Sequence, residues 1–330
     1  MNTYATVRVG VAGATGYSGV ELVRRLARHP GADLVSAMGS VGSEPRRLPA
    51  LKQIWDGPVT PLDLDALAGL DAVFLATPDT LSAEVGPALA ARGPKVFDLS
   101  GAFRLRDRSL RQRWYPHSPD PALPVTYGLT ERNRGALEGA RLIACAGCYP
   151  TAAILPLQPL VAAGLLEPGI IIDAKSGVSG AGKSPTERTH FSEIHGSMAA
   201  YGVFAHRHAA EIEQELGMPV TFVPHLVPLD RGILETIYAR LRPGVTGDDI
   251  CRTLEQAYGD SAFVRLTGAD LPEIKHVAHT NFCDIGWRIS PDGSQLVMVA
   301  CIDNLVKGAA GQAIQNFNVV FGFPEAAGLN

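Results

Sequence analysis

Cysteine and histidine provide the most reactive side chains in this sequence. The stretch ACAGCYPT holds Cys145 and Cys148, and the stretch YGVFAHRHAAEI holds His206 and His208 on either side of Arg207. A cysteine just ahead of a helix is exposed to unpaired N–H groups and to the helix dipole, and both favour the nucleophilic thiolate. Cys148 precedes a predicted helix, whereas Cys145 ends the predicted strand RLIACAG. We therefore expect Cys148 to be a nucleophile and Cys145 to be buried and inert.

Three other interpretations of this cysteine pair stay open. A zinc site needs four ligands, and Cys251, Cys283 and Cys301 are too dispersed to supply a second pair. A redox pair would place both cysteines at the helix start. A purely structural role is also open, because free cysteine is among the most buried residue types.

The His-Arg-His segment is predicted to open a helix with an apolar face formed by Ala209, Ile212 and Leu216. Two imidazoles and a guanidinium at one helix start can handle a proton and an anionic substrate group together. A metal site is the alternative for two histidines, but no third ligand stands at a suitable spacing. The segment is expected to supply acid–base chemistry.

A glycine-rich turn near the N-terminus has the context of a dinucleotide-binding motif. The strand VRVGVA is followed by GATGYSG and by a stretch with helical periodicity, VELVRRLARHP. Gly13 permits a tight turn, Gly16 lets backbone N–H groups approach a phosphate, and Gly19 lets the helix lie close to the strand. The helix N-terminus attracts the pyrophosphate. The predicted cofactor contacts in this turn are Gly13, Thr15, Gly16, Tyr17, Ser18 and Gly19.

The end of the second predicted strand, ADLVSAMGS, favours NADP over NAD. NAD-binding versions of the motif place an acidic residue there for the ribose hydroxyl. This chain has Gly39 and Ser40 instead, followed by Arg46 and Arg47, which suit a 2′-phosphate. A solvated loop is the alternative interpretation of the two arginines.

Strands and helices alternate through the first half of the chain. LDAVFLATPD, KVFDLSGAFRL and ARLIACAG read as strands, and SAEVGPALAARG reads as a helix. This order predicts a doubly wound parallel sheet that collects ligands at the carboxyl ends of its strands, where Pro78 and Arg104 lie. None of the eight tyrosines has lysine four residues later, so the pattern does not fit a short-chain dehydrogenase.

The second half is rich in predicted strands and contributes the other part of an α/β fold. The expected strands are GIIIDAKSG, PVTFVPHLVPL, RGILETIYARL, SAFVRL, TNFCDIGWRIS and QLVMVACIDN. Their polar alternation predicts a mixed sheet with one face against helices, an α+β catalytic and dimerisation domain beside the Rossmann-type sheet.

Composition and charge restrict the class of protein further. The 330 residues exceed one typical core, and the net charge of −4 with no long basic run disfavours nucleic acid as a partner. No apolar stretch approaches membrane-spanning length, and the N-terminus does not resemble a secretion signal. An odd number of cysteines, five, fits a reducing cytoplasm.

The chain resembles the N-acetyl-gamma-glutamyl-phosphate reductase family of the aspartate-semialdehyde dehydrogenase superfamily. The motifs that carry this resemblance span nearly the whole chain and occur in the family's order. They are GATGYSG, DLSGAFRL, AGCYPTAAILPL, AKSGVSGAGK, YGVFAHRHAAEI, FVPHLVPLDRGIL and DNLVKGAAGQAIQNFN.

The resemblance implies reduction of an acyl phosphate to an aldehyde by NADPH through a cysteine thioester. Cys148 would attack the acyl carbon, and His208, with His206 as the alternative, would stabilise the thiolate and protonate the developing alkoxide. No metal is implied. The residues expected to form the substrate site are Arg104, Ser176, Lys183, Arg207 and Glu211. Arg104, Lys183 and Arg207 are the cations for the phosphate and carboxylate groups of the substrate, and Glu211 is expected either to orient an imidazole or to be an ordinary first-turn acid. Ser179 and Asn304 are expected at the cofactor.

Domain organisation and assembly follow from the same resemblance. Residues 1–147 and 307–330 are expected to form the NADP-binding domain, because the C-terminal helix of the family returns to it. Residues 148–306 are expected to form the catalytic and oligomerisation domain of a homodimer or homotetramer. Two other functions remain as alternatives: reduction of another acyl phosphate (carrier-bound aminoadipyl phosphate or aspartyl phosphate), and NADP binding by a regulator without catalysis.

Overall fold

The computed structural model describes residues 5–330, which divide into two compact units. One unit comprises the described residues up to Gly147 together with Ala309–Asn330, and the other comprises Cys148–Gly308. The second crossing of the chain between units therefore falls after Gly308, two residues beyond the expected limit of 306.

The first unit is built on a parallel sheet. Among the described residues its seven strands are β1 (Val7–Ala12), β2 (Ala32–Met38), β3 (Val59–Thr60), β4 (Ala72–Leu75), β5 (Lys95–Asp98), β6 (Val125–Gly128) and β7 (Leu142–Cys145). Their order is β3-β2-β1-β4-β5-β7-β6, with every neighbouring pair parallel. The chain reverses its direction of travel across the sheet between β1 and β4, which is where such sheets bind dinucleotides.

Helices cover both faces of this sheet. They are α1 (Tyr17–Leu26), α2 (Leu64–Ala68), α3 (Asp79–Arg92), α4 (Arg108–Trp114), α5 (Thr130–Leu137) and, at the C-terminus, α10 (Gly311–Phe321). β4 is buried on both sides because Val73 and Leu75 join the core formed with α2 and α3, while Phe74 stacks on Phe97 and meets Phe317 of α10. An uninterrupted apolar strand is the expected result of cover on both faces.

The second unit is built on a mixed sheet. Its strands within the described chain are β8 (Ile170–Gly177), β9 (Ala199–Ala200), β10 (Val220–Val227), β11 (Ile233–Arg240), β12 (Val264–Gly268), β13 (Cys283–Ile289) and β14 (Gln295–Ile302). Their order is β12-β13-β14-β11-β8-β10-β9. Two neighbouring pairs are parallel, β12 with β13 and β8 with β10, and the others are antiparallel.

The helices of this unit pack on the mixed sheet, in agreement with the alternation in the sequence. They are α6 (Cys148–Ala162), α7 (Phe191–Ile194), α8 (Arg207–Leu216) and α9 (Gly247–Tyr258). α6 contacts β11 and β14, α8 contacts β10, and α9 contacts β12. The predicted fold class, a doubly wound parallel sheet with an α+β unit around a mixed sheet, is confirmed.

Three details differ from the sequence prediction. Strands β3, β6 and β9 were not predicted, because two-residue strands and the short stretch VTYG give little periodic signal. From the sequence, Pro156 and Pro159 are expected to bend or break the helix that follows Cys148, but α6 continues without a break to Ala162. Most side chains of α6 are buried, and this tertiary packing holds the helix despite the missing N–H groups. The C-terminal helix starts with a π-helical turn, Val306–Ala310.

Glu235 is a buried carboxyl group in the middle of the mixed sheet. It is 0% exposed on β11, opposite Ala174 of β8 and Ala300 of β14. Neither carboxyl oxygen has a hydrogen-bond partner among residues 5–330. Burial raises the pKa of Glu235 well above its ordinary value, and the nearby Lys175 opposes this shift only in part. The folded protein therefore holds Glu235 as the neutral acid.

We expect Glu235→Gln to stabilise the protein increasingly as the pH rises. The raised pKa means that the unfolded chain loses this proton above about pH 4.5 while the folded chain keeps it, so wild-type stability falls with rising pH. The amide has no proton to lose. Thermal unfolding at pH 5 and pH 8 should show a larger gain in Tm for the variant at pH 8. The exposed Glu193→Gln should show no such difference, and an equal effect of both substitutions at both pH values would contradict the assignment.

Candidate functional site

Close backbone packing shapes the turn between β1 and α1. Gly13 has φ +83°, and a Cβ there would lie 2.2 Å from the carbonyl oxygen of Ala76. A Cβ at Gly19 would lie 2.1 Å from the oxygen of Gly13. Only glycine fits at these two positions. Their lack of a side chain lets α1 start directly against the end of β1.

Gly16 has a different role in the same turn. It precedes α1 with φ −76°, and a Cβ there would meet only the oxygen of Gly13, at an ordinary 3.6 Å. The protein alone therefore does not demand glycine at this position. The α1 N-terminus has no side-chain cap among the described residues and no acid in its first turn. The N–H groups at the start of α1 have no side-chain cap within residues 5–330, and Gly16 has no side chain to cover them, so a phosphate can approach them closely.

The other predicted cofactor residues of the first unit lie at the carboxyl ends of its strands. Ser40 follows β2 and is exposed, as are Arg46 and Arg47, and residues 39–43 contain no acid. The backbone of Arg46 pairs with Val59 of β3, which fixes this loop at the sheet edge. Pro78 directly precedes α3 after β4. Thr15 and Ser18 are half-buried in the glycine turn, and Tyr17 is exposed.

Arg104 is not an open cation. It is buried, its Nε donates to the carbonyl of Cys145 at 2.8 Å, and its Nη2 donates to the carbonyl of Leu99 at 2.7 Å. These bonds tie the loop after β5 to the end of β7. Asp98 at the end of β5 accepts from the backbone N–H and the hydroxyl of Ser100, and burial raises the pKa of Asp98. The structure therefore shows Arg104 fixing the backbone of β7 shortly before Cys148 in the chain.

The two cysteines of ACAGCYPT lie in different environments. Cys145 is 1% exposed, its Sγ accepts from Nδ2 of Asn316 at 3.7 Å, and burial raises its pKa to about 12. The prediction that Cys145 is buried is confirmed. Cys148 is the first residue of α6 and is only half-buried. A half-exposed thiol at a helix N-terminus has the environment that favours a thiolate.

A cluster of rings in the second unit surrounds the residue after Cys148. The Tyr149 ring lies edge-on to His206, His208 and Phe222, with centroids 5.8, 5.9 and 5.2 Å away. Its hydroxyl lies 3.2 Å from that of Tyr201. Burial raises the pKa of both tyrosines, and the negative charge of Cys148 as a thiolate adds to the shift. Both phenols stay neutral and able to donate hydrogen bonds.

The two histidines of the His-Arg-His segment have different roles. His206 caps α8, because its Nδ1 accepts from the backbone N–H of His208 at 3.1 Å. Burial, reinforced by the charge of Arg207, lowers the pKa of His206 to about 4. His206 is therefore neutral near pH 7 and has Nδ1 committed to the helix. His208 lies in the first turn of α8, buried beside Tyr149.

Ser176, Ser179 and Asn304 join loops at one end of the mixed sheet. The hydroxyl of Ser176 donates to the carbonyl of Gly177 at 3.0 Å. Ser179 donates to the carbonyl of Asp230 at 2.6 Å and accepts from Nδ2 of Asn304 at 3.0 Å. Asn304 also accepts from the backbone N–H of Gly232 at 2.7 Å. These groups are mostly buried and hold the protein backbone.

The remaining predicted substrate residues differ in exposure. Lys183 and Arg207 are exposed in the second unit, whereas Glu211 is 1% exposed on α8, one turn after His208. Tyr149 and Tyr201 were not predicted from the sequence, although Tyr149 adjoins Cys148 and Tyr201 opens the stretch that holds both histidines.

Within residues 5–330, no cluster of three or more His, Cys, Asp or Glu side chains is arranged to hold a metal ion. No helix in that range is long and apolar enough to cross a membrane.

Family comparisons define the class of this protein. The family model for the semialdehyde dehydrogenase NAD-binding domain matches residues 8–140, and that for the semialdehyde dehydrogenase dimerisation domain matches residues 148–304. Both domains are thus of the semialdehyde dehydrogenase type.

Two curated relatives narrow the assignment within this class. N-acetyl-gamma-glutamyl-phosphate reductase from Geobacillus thermodenitrificans is 45% identical over 98% of both chains, and the enzyme of that name from Desulforudis audaxviator is 45% identical over 98% of both. The chain therefore belongs to the N-acetyl-gamma-glutamyl-phosphate reductase family, as the sequence motifs predicted.

Solved structures share the fold at low sequence identity. Aspartate semialdehyde dehydrogenase II from Vibrio cholerae superposes with a TM-score of 0.73 at 18% identity, covering 96% of this chain and 98% of that one. Aspartate semialdehyde dehydrogenase with NADP from Candida albicans gives a TM-score of 0.71 at 17% identity, with the same coverage. These matches support the architecture of both units.

Two glycine substitutions should separate cofactor approach from protein packing. Gly16→Ala should change the free energy of unfolding by about 1 kcal/mol or less, yet weaken dinucleotide binding at least about tenfold, because the methyl group occupies space that only the ligand needs. Gly19→Ala should destabilise the protein by about 1–3 kcal/mol, because its methyl group meets backbone. Thermal unfolding and fluorescence titration with NADPH measure both effects. Unchanged NADPH affinity in Gly16→Ala would place the pyrophosphate elsewhere.

Proposed function

We propose that this protein reduces N-acetyl-gamma-glutamyl phosphate to N-acetylglutamate semialdehyde and phosphate, a reaction of arginine biosynthesis. The observation that carries the proposal is the half-exposed Cys148 at the N-terminus of α6, followed by a ring that touches both histidines. The relatives named above carry this activity in their names. A thiol at a helix start, next in the chain to a ring that packs against two imidazoles, is a suitable apparatus for acyl transfer.

Cys148 performs the first step. Its thiolate attacks the acyl carbon, the carbon–sulfur bond forms, and the bond to phosphate breaks with its electron pair leaving on the phosphate oxygen. The backbone N–H groups of the first turn of α6 are suited to hold the oxyanion that develops. When bound, NADPH supplies the hydride that converts the thioester to the aldehyde level.

His208 handles the proton. Of the two histidines, it is the one whose ring is not the α8 cap, whereas Nδ1 of His206 is committed to that bond and the pKa of His206 is lowered to about 4. His208 protonates the developing alkoxide and afterwards accepts that proton as the thiolate leaves. Neutral Tyr149 and Tyr201, whose hydroxyls lie 3.2 Å apart and whose pKa values respond to the charge of Cys148, are proposed to keep hydrogen-bond donors near the sulfur.

Charge on the second unit supports binding of an anionic substrate. The exposed Arg207 and Lys183 are the cations for the phosphate and carboxylate groups, and Ser176 contributes a small polar group. Arg104 acts by fixing the end of β7 rather than as an open cation. Glu211, buried three residues after His208, is proposed to orient that imidazole.

NADPH is the preferred cofactor in this proposal. The glycine turn fits a pyrophosphate, and residues 39–43 after β2 offer the hydroxyl of Ser40 and no carboxylate, with the exposed Arg46 and Arg47 following Glu44. Asn304 and Ser179 are proposed to hold the loop on which the nicotinamide rests. The positive charge of the two arginines favours the 2′-phosphate of NADP, whereas the free ribose 2′-hydroxyl of NAD lacks the carboxylate that usually accepts its hydrogen bond.

A homodimer or homotetramer is the proposed assembly. The second unit matches a dimerisation domain, and the face of its sheet away from the helices exposes Ile171 and Tyr238, each 43% accessible. No disulfide joins any of the five cysteines, which supports the reducing cytoplasm as the proposed compartment.

Enzyme assays of the wild-type protein and of two cysteine variants test the proposed function. Purified protein should oxidise N-acetylglutamate semialdehyde when supplied with NADP and phosphate, and faster than with NAD. Cys148→Ser should reduce kcat by at least about 10³-fold, as expected when a covalent nucleophile is removed. Cys251→Ser, on the outer helix α9, should have wild-type kcat. Near-normal turnover by Cys148→Ser would contradict the mechanism. Faster turnover of aspartyl phosphate than of N-acetyl-gamma-glutamyl phosphate would contradict the proposed substrate.

Matched asparagine substitutions should separate the two histidines. His208→Asn should lower kcat by about 10²–10⁴-fold, because the proton donor is lost. His206→Asn should change kcat by less than about tenfold, because an asparagine oxygen can replace Nδ1 as the cap of α8. Steady-state rates across pH 6–9, with circular dichroism to confirm folding, measure the difference. The reverse order of effects would assign the proton to His206.

A further inference from the structure

Gly308 lies against the first residue of α6. A Cβ on Gly308 would be 2.6 Å from the Cβ of Cys148 and 3.1 Å from its Cα. The atoms it would meet belong to the start of the Cys148 side chain and its backbone, which cannot swing aside as a flexible side-chain tip would. Cys148 and Gly308 are the first and last residues of the same unit. The contact therefore brings both ends of this unit together at the thiol.

A π-helical turn brings Gly308 to this position. Val306–Ala310 are π-helical, and the N–H of Gly308 donates to the carbonyl of Asp303, five residues earlier, at 2.9 Å. The extra residue in such a turn pushes the backbone outward compared with an α-helix. Gly308 has no positive φ in this turn, so backbone conformation does not account for the glycine. Its contact with Cys148 does.

Buried side chains hold the residues just before the π-helix. Asp303 is 0% exposed, and its Oδ1 accepts from the N–H groups of Leu305 and Val306 at 2.8 and 3.0 Å. Its Oδ2 accepts from the N–H of His279 at 2.6 Å and lies 3.5 Å from Nη1 of Arg231. A carboxylate with this many donors fixes the backbone on which the π-helix starts.

Asn304 anchors the same turn on its other side. Its amide bridges the backbone of Gly232 and the hydroxyl of Ser179, as described above. With Asp303 and Asn304 both held, the turn has little freedom to retreat from α6. Any atom added at position 308 must therefore displace Cys148 or break these bonds.

We propose that Gly308 is a positioning residue for Cys148: the bare backbone of the π-helix packs on the start of α6 and fixes the direction of the thiol. The proposal rests on the proposed function only in taking Cys148 as the nucleophile. The contact sets where the sulfur lies relative to the N–H groups of the first turn, on which thiolate stability depends. Gly308 itself touches no reacting atom.

Gly308→Ala tests this proposal through the chemistry of one sulfur. Iodoacetamide alkylation of Cys148, followed by peptide mass spectrometry from pH 5.5 to 9.5, gives the pH profile of that thiol without any substrate. We expect the profile to shift toward the ordinary cysteine pKa of about 8.5, with the rate at pH 6.5 falling about tenfold for a shift of one unit. We also expect kcat to fall about 100-fold with little change in KM, as for a misplacement of about 1 Å.

Two references within the chain exclude a general loss of structure. Cys251 is half-buried on α9 in the same unit, and its alkylation rate should be the same in wild type and variant. A Cβ added at Gly135 in α5 would meet no neighbouring atom of residues 5–330 within 4 Å. Gly135→Ala is therefore a glycine-to-alanine control that should leave Cys148 unchanged. Equal alkylation changes at Cys148 and Cys251 would overturn the proposal in favour of partial unfolding.

A double substitution separates Cys148 from the other neighbour of Gly308. A Cβ at 308 would also lie 3.3 Å from Cδ1 of Ile302, and Ile302→Val removes that atom. Gly308→Ala/Ile302→Val should stay as impaired as Gly308→Ala, because the contact with Cys148 persists. Restored alkylation in the double variant, or a wild-type profile in Gly308→Ala alone, would overturn the proposal. Absence of acyl-phosphate turnover in wild type would reject the function but leave these alkylation results interpretable.

Discussion

Direct packing of backbone against the start of a helix is the constraint on which both functional regions depend. In the first unit, a side chain at Gly13 would overlap the main chain of Ala76 after β4, and one at Gly19 would overlap the main chain of Gly13 and Ala14 just before α1. In the second unit, a side chain at Gly308 would overlap Cys148 at the start of α6. The helix N-terminus attracts negative charge in both cases. The first is suited to a pyrophosphate, and the second carries a thiol whose ionised form the same field favours.

Burial divides the roles of the ionisable groups around Cys148. Tyr149 and Tyr201 are kept neutral because their anions would be buried beside a negative sulfur. His206 is kept neutral because its cation would be buried beside Arg207. These three rings serve as fixed polar walls. In the proposed mechanism the proton is transferred by His208, which the sequence alone could not distinguish from His206.

The sequence predicted the architecture because periodicity records burial. The alternating strands of β8, β10 and β11 and the apolar run of β4 were readable for this reason. The glycine turn was readable because strand, turn and helix follow one another locally. The structure agrees with the sequence in placing Cys148 at a helix start and Cys145 in a buried strand.

Long-range polar contacts could not be read in the same way. Arg104 reaches the carbonyl of Cys145 across 41 residues, and Asn304 reaches Ser179 across 125 residues. An arginine expected near phosphate and one that holds a loop look identical in a sequence. The contact of Gly308 with Cys148 depends on a π-helical turn. Neither the turn nor the contact can be recognised from the two glycines of the stretch KGAAGQA. Tertiary register decides these contacts.

Arg207 acts on the ionisation of two neighbouring rings, and in the proposed mechanism it also binds the substrate. Its charge lowers the pKa of His206 and also lowers that of Tyr201, although burial outweighs this effect on the tyrosine. Arg104 is buried against backbone carbonyls, whereas Arg207 at the start of α8 is exposed, and in the proposed mechanism it is the cation that meets an anionic substrate group. An anion bound there would neutralise part of the field that keeps His206 uncharged. In the proposed mechanism, substrate binding and the protonation of His206 are therefore coupled through one guanidinium, and burial of His206 must keep its ring neutral for α8 to stay capped when that anion arrives.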